Sequence, residues 1–438
     1  MFKKAIVILV VFLLSALPLM AKEEGSQFYL NNGIKVIFRQ IEASQIGSLS
    51  LFVRGGCLNL TKELMGLEKL TLKLMLRGSK GYPKDRLDKE LSQMGTRFTS
   101  SSGYDYSYLN MTFLDRYFDR SLDIFSDCIL NPLFDLKELS LLQGKLVAGL
   151  KRRYADADEM VWYKANEALM EGHPYINYQD GTPETIEEFT GEDLLGYRAR
   201  VIKTGQVFLV YVGGLSQGDL EKRLNEAFKA IPRGDYNPPP LSQFKGGTNQ
   251  LVVAEKPGLP TAYIAGKFVA PPPTSPDYPA LQVGMRLLST NLGLSLRTKH
   301  ALTYATWSFA TNYRRPWGGV YISTAKPNEA IKLIYSEIEK MKKNPPPQDE
   351  LRNQLTRYIT LFYYRNETAE SQVQNLGAAE ISYGDWRYHY RWIDELKKVT
   401  PQDVLRAMGK YFTHLKIGVY TDSERMPIQR ELFLSFGS

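Results

Sequence analysis

The sequence predicts an α+β protein of two tandem domains of similar design, each a mixed or antiparallel β-sheet packed with helices. Three observations predict it. The chain of 438 residues is longer than one hydrophobic core usually spans, so about two domains are expected. The stretch Pro232-Arg233-Gly234-Asp235-Tyr236-Asn237-Pro238-Pro239-Pro240, running on to Gly246-Gly247, suits a stiff exposed linker and divides the chain into similar parts. Strand-like and helical segments follow one another in the same outline on both sides of that break. The expected divisions are a signal peptide at 1–21, an N-terminal domain at 22–232, a linker at 233–250 and a C-terminal domain at 251–438.

Met1-Phe2-Lys3-Lys4, an apolar run to Met20, the small Ala21 and the charged Lys22-Glu23-Glu24 have the layout of a secretory signal peptide. This implies export, in a bacterium to the periplasm, with no stable membrane span after cleavage. An uncleaved segment would instead hold the protein at the membrane, although ~20 apolar residues are normally needed to cross it. Residues 34–38 and 48–53 read as strands, the leucine-rich stretch 64–76 follows, and 118–129 and 136–154 are amphipathic helices. Asn131-Pro132 stops the first of these helices. Residues 207–212 form a closing strand. The second half repeats the outline with strands at 251–254 and 262–268, helices at 278–288, 328–342 and 346–364, and a last strand at 417–420.

Composition excludes several functions. A hydrophobic share of 43% with 23% charged residues is that of an ordinary globular chain. The formal charge of +8 is scattered, and its tightest runs, Lys151-Arg152-Arg153 and 340–343, read as solvated helix rather than a nucleic-acid surface. Cys57 and Cys128 could pair in an oxidising compartment, but two cysteines do not make a disulfide scaffold. His173, His300, His389 and His414 all lie beyond helical reach of one another, so no local zinc motif is present. There is no phosphate loop and no Gly-x-Gly-x-x-Gly. Gly214-Leu215-Ser216-Gln217-Gly218 lies between a strand and a helix, the context of a nucleophile elbow, which would make Ser216 a hydrolase nucleophile. The same serine also serves as a helix cap, with Asp219 supporting the first turn. Capping is favoured, because the chain lacks the succession of βα units that a hydrolase sheet needs.

Asn32-Gly33-Ile34-Lys35-Val36-Ile37, Arg54-Gly55-Gly56, Gly66, Leu76-Arg77-Gly78-Ser79, the segment 95–105, Asn131-Pro132, His173-Pro174-Tyr175 and Gly181-Thr182 occur in that order. Their order and spacing, rather than any single motif, resemble the insulinase-type metallopeptidases, the group that includes pitrilysin and the mitochondrial processing peptidase. The resemblance covers nearly the whole chain after the signal peptide and implies that family's fold, with two homologous domains. Between Gly66 and Gly78 the family carries His-x-x-Glu-His on a helix, two zinc ligands flanking the general base. Here the ligand positions are Lys69 and Lys73 and the base position is Leu72. The remaining ligand, a glutamate on a later helix, falls on Leu150 at the family's spacing. The resemblance therefore implies no catalytic residue, no zinc or other cofactor of its own, and no peptide hydrolysis by this chain alone. Read by pattern, 70–74 alternates as a strand would, so the helix there is what the resemblance implies.

Arg297-Thr298-Lys299-His300-Ala301-Leu302-Thr303-Tyr304 resembles the segment that supplies an arginine and a tyrosine across the cleft from the zinc, near the substrate's main chain. Guanidinium and phenol can both donate to a peptide carbonyl or its developing oxyanion. The segment 288–293 departs from the glycine-rich loop of the processing peptidase's non-catalytic subunit, so that subunit's recognition does not carry over. The expectation is a zinc-less subunit that binds unfolded peptide through Arg297 and Tyr304 and supports proteolysis by a zinc-bearing homologous partner. The alternatives are a stand-alone peptide-binding or scaffold protein and, last, a serine hydrolase at Ser216.

Overall fold

Two sheets share one strand order. In the computed structural model, which describes residues 25–437, the first sheet contains β1 (Ser26–Tyr29), β2 (Lys35–Gln40), β3 (Ile46–Arg54), β4 (Arg97–Ser102), β5 (Tyr106–Leu114) and β6 (Val207–Gly213). They lie in the order β1-β2-β6-β3-β5-β4. The second sheet contains β7 (Gln250–Glu255), β8 (Ala262–Val269), β9 (Thr306–Ala310), β10 (Trp317–Thr324) and β11 (Lys416–Thr421), in the order β7-β11-β8-β10-β9. Apart from β1, the orders superimpose. In each half the last strand returns between the first two, parallel to the first (β2 with β6, β7 with β11) and antiparallel to the second. The mixed α+β halves expected from the sequence are thus present twice. The signal-peptide segment lies outside the described residues.

Burial explains the strand sequences. Every residue of β6 and of β11 is buried, so both central strands read as continuous apolar runs rather than alternating ones. The helices expected at 118–129 and 136–154 are observed as Phe118–Leu130 and Leu136–Ala155, the second capped by the Asp135 carboxylate accepting from the Glu138 N–H at 3.0 Å. In the second half the expected helices are Tyr278–Leu292, Pro327–Lys343 and Gln348–Tyr364. The first of these runs past its expected end and passes into a wide helical turn, Gly293–Lys299.

The halves interlock by exchanging a helix. Ala157–Met170, from the N-terminal half, packs across β7, β8 and β11 of the other sheet. Gly418 on β11 permits this: a Cβ there would lie 2.7 Å from both the Ala165 nitrogen and the Val161 carbonyl oxygen. Ala369–Tyr383, from the C-terminal half, packs across β3, β5 and β6, with Gly377 set against the ring of Phe52. There the Glu380 carboxylate accepts from Lys35 at 2.8 Å and pairs with Arg54 at 3.5 Å.

The segment expected as an exposed linker has no regular structure but is pinned. Phe244 is buried against His173, Tyr175 and Trp317, and the Arg315 guanidinium donates to the Leu241 and Ser242 carbonyls. Cys57 and Cys128 are free, buried thiols in separate apolar clusters. Among the described residues no helix is long and apolar enough to cross a membrane.

Candidate functional site

The helix Leu67–Met75 begins at Gly66, whose φ of +87° suits glycine. A Cβ at Gly66 would lie 2.6 Å from Ile186 Cδ1 and 2.8 Å from Gly181 Cα, so the helix start is clamped to the turn after Asp180. Leu67, Leu70, Leu72, Leu74 and Met75 are all buried, so the helix is covered on nearly every side. That is why residues 70–74 mimic a strand pattern. Lys69 and Lys73, one turn apart, share the remaining partly open face.

The Lys69 ammonium is ion-paired with the Asp180 carboxylate, and Arg153 Nη1 binds the other oxygen of the same carboxylate. Burial works to raise the Asp180 pKa, but the two cations hold it below the ordinary value. Lys73 is pushed below its ordinary value by burial and then by the adjacent Lys69. Leu72 is fully buried. Leu150 lines an open cavity of about 280 Å³ together with Arg153, Glu159, Tyr163, Tyr178 and Asp180. These residues do not fit zinc: protonated ammonium groups have no lone pair to give and repel a dication, leucine offers no donor, and Asp180 is already engaged. Among the described residues no group of three or more His, Cys, Asp or Glu is placed to hold a metal ion. The neighbouring Glu68 is wholly buried, hydrogen-bonded to Ser107, Tyr197 and Asn59, and ties the helix into the core.

Arg297 lies in the wide turn and is exposed, and Tyr304 is 93% exposed. Neither side chain has a hydrogen-bond partner among the described residues. The backbone between them is fixed nonetheless. The Leu302 N–H donates to the Leu296 carbonyl at 2.8 Å, Ala301 takes the left-handed conformation at φ +50°, and Thr303 Oγ1 donates to the Ser323 carbonyl at 2.6 Å. The structure does not bring this pair into the lining of the Leu150 cavity, which is drawn from residues 104–181.

Ser216 is a cap: its Oγ accepts from the Asp219 N–H at 3.2 Å and donates to the Asp219 carboxylate at 2.8 Å. His173 is buried, with Nδ1 accepting from the Tyr175 N–H at 3.1 Å and Nε2 donating to the Ser242 carbonyl at 3.2 Å. His389 meets Asn366 Oδ1 at 2.8 Å, and burial, then Arg39, pushes its pKa down to about 4.

Three functional groups escaped the sequence reading. Asp180 directly precedes the Gly181-Thr182 landmark, and Arg153 belongs to a basic run read as solvated, yet the two meet over Lys69. Lys267 lies inside a strand that is otherwise apolar, a signal in itself. It is 3% exposed, bonded to Asn166 Oδ1, with Nζ 4.5 Å from the Trp317 ring and 5.4 Å from that of Trp162. Burial pushes its pKa down to about 7.

Comparison with known proteins agrees with this architecture. Residues 35–171 match the family described as Insulinase (Peptidase family M16), and residues 188–358 match Peptidase M16 inactive domain. The Helicobacter pylori protein named Non-peptidase homolog YmxG is 21% identical over 348 residues, spanning 78% of this chain and 80% of that one. Subunit 1 of the bovine mitochondrial cytochrome b-c1 complex is 21% identical over 262 residues, covering 59% of this chain and 54% of its own. The crystal structure of a peptidase M16 inactive domain from Pseudomonas fluorescens superimposes with a TM-score of 0.83 at 20% identity, over 91% of this chain and 98% of that one. With both family models placed along it and both sheets built to one plan, this chain belongs to the insulinase-type peptidase family M16.

Proposed function

We propose that this chain is an exported, zinc-less peptidase-like subunit that binds unfolded peptide and supports proteolysis by a zinc-bearing partner of the same family. The observation that carries the reading is the contrast between the two halves. At the positions expected to hold zinc and its base stand Lys69, Leu72, Lys73 and Leu150, with Lys69 ion-paired to the Asp180 carboxylate that Arg153 shares. Arg297 and Tyr304 stand exposed and unengaged on a fixed backbone in the other half. Donors held outside the chain's own cavity suit a site completed by a second molecule. A relative named as a subunit of a larger complex supports association as a habit of this family.

The test is recovery of the tagged chain from its native envelope fraction. The proposal expects a zinc-bearing homologue to come with it, carrying chelator-sensitive peptidase activity. Recovery of the chain alone, metal-free and inert, rejects it in favour of a stand-alone binder or scaffold.

A further inference from the structure

We propose that the C-terminal half carries a second peptide site, selective for acidic segments, in a groove between the helices Tyr278–Leu292 and Gln348–Tyr364. The proposal rests on the peptide-binding part of the reading above and is independent of the partner.

Three cavities of about 310, 300 and 190 Å³ run together here, each lined by Arg286 and Tyr358. Arg357 and Arg365 complete a set of three exposed arginines around them. None of the three forms an ion pair among the described residues, and no aspartate or glutamate lines any of the cavities. Three guanidinium groups with no carboxylate partner among the described residues, Arg286 lying 5.6 Å over the Tyr358 ring, set up a positive potential around one groove that attracts and orients carboxylates.

The floor is rigid and mostly aromatic. Gln282 Nε2 donates to Tyr278 Oη at 2.6 Å and to the Ala310 carbonyl at 3.0 Å, while Tyr358 Oη donates to the Gln282 carbonyl at 3.0 Å. Tyr388 and Trp392 add ring faces, and the Asn312 side-chain amide has no hydrogen-bond partner among the described residues. Rings for side chains, a free amide for the main chain and arginines for acidic groups suit an extended polypeptide. A lone small anion would need one pocket, whereas three are joined here.

The test is fluorescence anisotropy on the full chain without its signal peptide, with a labelled peptide of alternating glutamate and tyrosine against the same peptide carrying lysine for glutamate. The acidic peptide should bind at least tenfold more tightly. The double substitution Arg286→Gln and Arg365→Gln should abolish that preference while circular dichroism stays unchanged. Arg425→Gln, which removes an exposed arginine that lines none of the three cavities, should leave it within twofold, so that loss of the preference reports on this groove. Equal binding of both peptides, no binding of either, or an unchanged preference in the double variant overturns the proposal.

Discussion

The Lys69 ammonium and the Asp180 carboxylate, 111 residues apart in sequence, are ion-paired at the partly open face of the helix Leu67–Met75. Arg153 shares that carboxylate, so two cations and one anion occupy ground that would otherwise be polar and unpaired. Removing one cation leaves the other in place, so Lys69→Met is expected to cost about 1–2 kcal/mol at pH 7. The pH dependence follows from the sign of the shift. Asp180 is held below its ordinary value of 3.8, so its stabilisation is complete above that pH and is lost as pH falls through the lower, folded value. Thermal melts between pH 2 and 7 should show a smaller acid-side loss in Lys69→Met than in the native chain. Parallel acid limbs would mean that the pair contributes nothing measurable.

Restoring the family's residues tests the register. A chain carrying Lys69→His, Leu72→Glu, Lys73→His and Leu150→Glu should bind about one zinc ion, and its melting temperature should rise with added zinc. Without metal it should be less stable than the native chain, because Leu72 and Leu150 are buried and their replacements are charged. Metal analysis of the purified variant decides the matter. Failure to take up zinc in a folded variant would place the four positions elsewhere than the metal site.

The fold was legible because it rests on patterns of several residues in order rather than on any single one. Apolar runs mark β6 and β11, and landmark glycines such as Gly66 meet real steric demands. The exchanged helices were not legible. Ala157–Met170 and Ala369–Tyr383 are covered by the opposite half, and no local periodicity reveals which sheet a helix will cross. Part of the candidate site was hidden for the same reason. Asp180 and Arg153 become partners only when a turn and a helix end converge on Lys69, so Arg153 read as a solvated charge. Lys267 could have been suspected from its place in an apolar strand, but its Trp162 and Asn166 surroundings come from the exchanged helix.

The exchange itself can be challenged at Gly418. An alanine there drives its Cβ into backbone atoms 2.7 Å away, which cannot swing aside as a side chain would. Gly418→Ala should therefore cost about 1–3 kcal/mol by forcing the exchanged helix outward. Gly409, inside the helix Pro401–Tyr411 with nothing within 4 Å of its Cβ position, is the control. Gly409→Ala should be stabilising by roughly 0.5–1 kcal/mol. Chemical denaturation of the two variants measures both signs, and equal stabilities would contradict the packing described.

Lys267 should make stability rise with pH. Its folded pKa of about 7 lies below the ordinary 10.5, so between these values the unfolded chain holds the extra proton and folding gains as pH increases. The two tryptophan rings favour the charged amine and temper the effect. Between pH 7 and 9.5 the native chain should gain roughly 1–3 kcal/mol relative to Lys267→Met. Urea melts at the two pH values check this. A constant difference between the two proteins would show that the amine stays charged among the rings.

The most informative substitutions are at Arg297 and Tyr304, assayed in the complex proposed above with a zinc-bearing partner. If these groups donate to the substrate carbonyl as charge develops on it, their loss should fall on kcat more than on KM. Removal of a single such donor elsewhere lowers kcat by about 10²–10³. Arg297→Ala and Tyr304→Phe should each approach that range, while zinc content and assembly stay unchanged. Arg297→Lys keeps the charge but loses the planar fork, so it should recover little. Because Tyr304 is 93% exposed and its side chain makes no hydrogen bond or ring contact among the described residues, a folding defect is not expected to confuse the result. Unaltered kcat in both variants would remove the pair from the chemistry and leave the chain as a binder or scaffold. A rise in KM alone would keep it in substrate binding but take it away from the transition state.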